Sequence, residues 1–246
     1  MINFIIYLTK IIIISFIALM FGSCNYNINF GDGIKGDGKI IFEVRNISED
    51  FKSIKVSNGI AVILTQSNDK LVSVETDQNI QNHIITKVEN GILIIKADED
   101  YNTNTSPKVT VNMPIINDLK ASSAAQISST NILKSNTIEM DASSGSDINV
   151  DVEAENISLQ TSSGSEITAN GKAIKLNTNS SSGSGIDTKK LLANDIIAKA
   201  SSGSTIDVSP ILSLKAKASS GANINYHTTP KSITKEVSSS GSVSQN

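Results

Sequence analysis

The chain contains no tryptophan, a single cysteine and a single arginine, and only 4% of its residues are aromatic. Each shortage removes a class of explanation. With so few rings an aromatic-rich core cannot form, and burial must rest on aliphatic side chains. Isoleucine is abundant and regularly spaced among Ser, Thr and Asn, which is a pattern of strands and not of a disordered chain. Arg45 is the sole guanidinium, so bidentate recognition of phosphate or carboxylate is not the chemistry expected here. The net charge of −3 carries no polyanion signature, and no nucleic-acid partner is expected. One cysteine excludes a disulfide framework. No segment keeps a helical period.

The N-terminus reads as an export signal. Lys10 precedes the apolar run 11–21, too short for a confident spanning helix, and the run ends in Gly22-Ser23-Cys24. Small residues ahead of a lone cysteine resemble a bacterial lipobox, with Phe21 where leucine is usual. The expectation is a signal peptide over 1–23, lipidation of Cys24, and membrane attachment through that lipid. With Cys24 so used, no thiol is left for a metal site or a nucleophile. Residues 24–39, including the run GDGIKGDG, read as a lipidated residue followed by a flexible linker. The residues after Cys24 lack an acidic cluster, which favours the periplasmic side of the outer membrane over the cell surface.

Residues 40–246 read as all-β. Strands are expected at 40–45, 51–56, 60–66, 71–76, 83–88, 92–96 and 109–113. Ser57-Asn58-Gly59 is a turn, and Asn90-Gly91 a hairpin. From about residue 119 a repeat takes over. Ser-Ser-Gly recurs with Gly145, Gly164, Gly183, Gly203, Gly221 and Gly241, at steps of 19, 19, 20, 18 and 20 residues, and a degenerate copy begins at Ser122. A fixed period near twenty marks a solenoid. Ile148, Ile167, Ile186, Ile206 and Ile224 each fall three residues after a glycine. A second apolar set precedes it: Ile138 and Met140, Ile157 and Leu159, Ile174 and Leu176, Ile196 and, out of register, Ile197, then Leu212 and Leu214. The fold expected is a parallel β-helix, right-handed, with two short strands per coil and a hairpin-containing N-terminal region.

The Ser-Ser-Gly phrase reads as a corner. Glycine takes the positive φ of a sharp turn, and serine hydroxyls form a ladder along the axis. Six equivalent serines are a poor way to present one nucleophile, and neither His83 nor His227 falls in a pattern that would supply its base. No catalytic, cofactor or metal residue is expected. The candidate ligand face is acidic. Asp147 and Glu166 stand two residues after a glycine, and Asp187 and Asp207 four after. Stacked in register, each pair would repel unless water or a cation such as Ca²⁺ screened it.

The segment from Ile47-Ser48-Glu49-Asp50-Phe51 to Ile63-Leu64-Thr65-Gln66 resembles the opening of the head GIN domain of Bacteroidetes lipoproteins, a family also called an autotransporter adhesin. The later run Val88-Glu89-Asn90-Gly91-Ile92-Leu93-Ile94-Ile95 and the Ser-Ser-Gly repeats are similar as well, so the resemblance covers roughly residue 40 to the end. It implies a β-solenoid exported to the cell envelope and engaged in adhesion. It brings no catalytic residues. An autotransporter needs a C-terminal membrane barrel, and none is read before Asn246, so self-transport is not expected. The function expected is a non-catalytic envelope lipoprotein that binds a glycan or protein, or acts as a scaffold. The alternative is a β-helix lyase or hydrolase acting on polysaccharide, which needs a carboxylate pair or a base beside acids. The last copy is followed by almost nothing, so this solenoid end is expected to self-cap or to pair with another chain.

Overall fold

Alternation in the sequence becomes alternation in burial. Along the strand Asp147–Ser162, Ile148, Val150 and Val152 are buried while Asn149 and Asp151 are exposed. β-Branched side chains at period two make one face apolar, and that face must be covered. Here the covering is the opposite wall of the same coil, so the core is a continuous aliphatic column. Ile127, Ile148, Ile167, Ile186, Ile206 and Ile224 stack in register as expected. The computed structural model describes residues 33–246 together with Tyr7 and Lys10. The expected export run, Cys24 and the linker up to residue 32 lie outside the described residues.

The fold is a parallel β-solenoid, with three differences from expectation. First, each coil of the regular part has three sides rather than two short strands. Between the Ile148 side and the Ile157 side runs a further ladder, in which Leu133, Val152, Gly171 and Leu191 stack in register. Gly171 is required there. Its φ is +127°, and a Cβ would lie 2.0 Å from the Val152 carbonyl oxygen.

Second, the inner row before the corner is Ile138, Ile157, Leu176, Ile196 and Leu214. Ile174 and Ile197 point outward, 48% and 42% exposed. The bends before that row differ in length from coil to coil, as the register shifts between Thr168/Gly171 and Asp187/Leu192 show. Counting on from the preceding glycine therefore slips, whereas counted back from the following glycine each residue of this inner row stands seven before it.

Third, the stack begins before residue 119, and not in chain order. Strands Ser53–Val56 and Ala61–Gln66 form an inner rung. On one side lie Ile92–Ala97 and Lys108–Met113; on the other lie Asp118–Ala121 and Gln126–Ser129. The Asn90-Gly91 hairpin is present, with both residues at positive φ. It sets Ile84–Glu89 antiparallel to Ile92–Ala97. Leu71–Asp77, followed by Ile40–Val44, adds two antiparallel strands beside Lys108–Met113. Antiparallel strands thus cap this end.

The linker expected to stay free through Lys39 is tied down from Ile34. Strand Ile34–Lys35 pairs with Tyr101–Asn102. The Gly38 amide donates to the buried Asp77 carboxylate at 2.6 Å, and a Cβ on Gly36 would come within 2.6 Å of that carboxylate. Asn79 holds both neighbours, accepting from the Asp37 amide and donating to the Lys35 carbonyl. Gly36 and Gly38 are there because the chain wraps a carboxylate closely.

Candidate functional site

The corners come first because they set the registers of everything outside them. In Ser143-Ser144-Gly145-Ser146 both central residues are left-handed, with φ +54° and +70°. The Ser146 amide donates to the Ser143 carbonyl at 3.3 Å. This is a type I′ geometry, which glycine adopts freely and serine only at some cost. The second serine and the glycine of each corner are exposed. The buried hydroxyl belongs to the residue after the glycine. Ser146 donates to the Ala121 carbonyl at 2.8 Å and accepts the Ser143 amide at 2.9 Å. Ser165 and Ser204 repeat the pattern one and three coils on. Ser184 closes a buried hydroxyl triangle with Thr161 and Ser180. These serines cross-link coils, and their hydroxyls are occupied.

The same register extends the series at one end and corrects it at the other. The turn expected at Ser57-Asn58-Gly59 is the first corner of the series, since Ala61 stacks on Gln126 and Gln126 on Asp147. At the other end Asn223 stacks on Ser242, so Gly241 occupies the inner position of Ser146 and Ser240 takes the left-handed glycine position. A Cβ on Gly241 would press the Ala218 carbonyl oxygen at 2.5 Å.

Outside the corners, two polar ladders run side by side along one face. Asp147 stacks on Glu166 in the first. In the second, Asn149, Thr168, Asp187, Asp207, Asn225 and Ser244 stack in turn. All four acidic candidates lie on this face, as two pairs in neighbouring ladders. Burial, and not Glu166, pushes the Asp147 carboxyl above its usual range.

Asp187 and Asp207 have basic partners. Lys189 Nζ lies 3.2 Å from Asp187 and 4.0 Å from Asp207, and the two carboxylates raise its pKa. His227 Nε2 lies 2.8 Å from Asp207, whose same oxygen accepts from Asn225. The cation that screens the stacked acids is an ammonium of the chain itself. Among the described residues no three His, Cys, Asp or Glu side chains are grouped to hold a metal ion. Period two was the signal for these partners: Lys189 stands two residues after Asp187, and His227 two after Asn225. His83, in contrast, pairs with Asp98 at 3.0 Å near the capped end, apart from these ladders.

A different face carries an apolar groove of about 500 Å³, lined by Ala154, Ala173, Ile174, Leu192 and Ile211 and flanked by the Lys172–Glu153 ion pair. Composition did not disclose it, because its isoleucines look in the sequence like core.

The family model described as "Putative auto-transporter adhesin, head GIN domain" matches residues 50–230. The chain belongs to that family. Solved structures share the head GIN fold at low identity. A putative adhesin from Bacteroides fragilis is 17% identical with a TM-score of 0.81, covering 87% of this chain and 100% of its own. A putative adhesin from Parabacteroides merdae is 18% identical at 0.70, covering 87% and 98%. A putative lipid binding protein from Parabacteroides distasonis is 20% identical at 0.73, covering 87% and 99%. No curated protein matches the sequence.

Proposed function

We propose that this head GIN domain is the adhesive head of an exported lipoprotein, anchored in the outer membrane through Cys24, and that it binds without catalysis. The polar ladders are its binding face, and a polyhydroxylated envelope ligand is the partner class they suit. The observation that carries this reading is the ladder from Asn149 to Ser244, which repeats donors and acceptors on successive rungs. Rungs about 4.8 Å apart offer an extended chain many equivalent contacts rather than one reactive centre. The Asp207–His227 pair holds a carboxylate and an imidazole, but the inner serines nearest in sequence pattern are committed to cross-coil bonds. The test is retention of the fragment 25–246 on an array of envelope and host glycans, compared with Asp207→Ala. Retention that falls with the substitution supports the reading; an array without retention overturns it. Labelling of the full chain with radioactive palmitate, abolished in Cys24→Ser, tests the anchor.

A second reading has its own support. One solved relative carries the name putative lipid binding protein, and the groove at Ile174, Leu192 and Ile211 is apolar and open in this chain. An acyl chain laid along it is the ligand of that reading. Binding of a fluorescent fatty acid, lost in Ile174→Asp, separates it from the glycan reading.

A further inference from the structure

We propose that strand Ile40–Val44 is a self-association edge, which pairs antiparallel with the same strand of a second copy about a two-fold axis through Ile41. Among the described residues this strand pairs on one side only, with Leu71–Asp77. The Arg45 amide donates to the Val72 carbonyl at 2.8 Å, and the Gln78 amide to the Lys39 carbonyl at 2.9 Å. The odd-numbered residues therefore face that neighbour, and Ile40, Phe42 and Val44 direct their amides and carbonyls the other way.

Those same three residues are apolar and 50%, 59% and 56% exposed. Soluble proteins blunt free edges with charge. The edge strand Ile84–Glu89 follows that rule, with Lys87 and Glu89 paired at 2.6 Å. So does Ser232–Val237, where Glu236 meets Lys217 at 3.3 Å. The outer face of Ile40–Val44 has no such charge.

Charge selects both the occupant and the register. A two-fold through Ile41 sets Lys39 of each copy opposite Glu43 of the other, and Ile40 of each opposite Phe42 of the other. A two-fold through Phe42 would instead set Lys39 against Arg45, and one through Glu43 would set two carboxylates together. Lys39 is exposed and has no ion-pair partner among the described residues, while Glu43 is about half exposed beside Arg45 at 2.5 Å. A strand of five residues buries far less than the roughly 1,600 Å² of a standard interface, so pairing in solution is weak. On the lipoprotein reading, tethering both copies to one membrane raises their effective concentration and favours the pair.

The experiment uses the fragment 25–246, which omits Cys24. It contains the whole unit Ile34–Asn246 with its own core, and solved relatives correspond to that unit over 98–100% of their own chains. In sedimentation equilibrium the apparent mass should rise toward twice the monomer with concentration. Phe42→Lys should weaken association at least about tenfold with the thermal midpoint unchanged. In Ile41→Cys the sole thiols of two copies would face each other with Cα atoms about 4.5 Å apart, a spacing a disulfide bridges, so mild oxidation should give a covalent dimer. A monomeric mass at every concentration overturns the proposal, as does a dimer indifferent to Phe42→Lys. Monomeric binding to phosphatidylcholine vesicles that Phe42→Lys abolishes also overturns it, because lipid is then what covers the strand.

Discussion

At the residue scale the repeated phrase divides into parts with different work. The second serine takes a strained left-handed turn and its side chain makes no hydrogen bond, while the serine after the glycine is buried and bonded across coils. Ser165→Ala should destabilise by about 1–2 kcal/mol in urea unfolding, the scale of a lost buried hydrogen bond and its stranded partner. Ser163→Asn should be neutral or stabilising by about 0.5 kcal/mol, since asparagine tolerates the left-handed region. Asn58 already occupies the equivalent place in the first corner. The two kinds of glycine should separate too. Gly164→Ala meets no atom and costs about 1 kcal/mol for its φ alone. Gly171→Ala strikes the Val152 carbonyl and should cost at least about 2 kcal/mol.

Asp147 gives a pH test at the same scale. Its folded pKa is raised by burial above the usual aspartate value, so ionisation penalises the folded state. The penalty is fully present above the raised folded value and is lost as pH falls below the unfolded one. Asp147→Asn should therefore raise the thermal midpoint at pH 7, and the gain should vanish near pH 3. A gain that persists at pH 3 would point to packing instead.

At the scale of the element, the sequence disclosed most strands but not how they close. Alternation marked Lys108–Met113 and the hairpin strands because one face of each is core and the other is solvent. It could not mark the third side of the coil, where Gly171 and the outward Ile174 break the apolar count. Nor could it show that the segment from Gly36 to Gly38 wraps Asp77, since that carboxylate lies far away in sequence. Gly36→Val should detach the Ile34–Lys35 strand. The expected readout is faster hydrogen exchange at Ile34 and Gly36, whose amides donate to the Asp100 and Asn102 carbonyls, with the central coils unaffected. Equal loss of protection everywhere would show instead that this latch belongs to the global unfolding unit.

At the scale of the whole molecule, the acidic candidates were legible as a register and their partners only along the strand, not across coils. Counting from the corner places Asp187 over Asp207, because both precede the irregular bend of their coil. Period two places Lys189 beside Asp187 and His227 beside Asn225, but only the folded coil brings either of them to Asp207. With an ammonium between the acids, millimolar Ca²⁺ should leave the thermal midpoint unchanged. A rise would show that a metal competes for the site. The chain thus presents a column whose inner corner serines are consumed in holding the coils and whose outer ladders stay available.

That division is tested most directly by one incubation: the fragment 25–246 with a panel of acidic and neutral polysaccharides, measuring retained polymer and released reducing or unsaturated ends together. The account predicts retention that Asp207→Ala weakens, with no release above a protein-free control. Release of ends that Asp187→Ala or Asp207→Ala abolishes would contradict it and make the face a catalytic one.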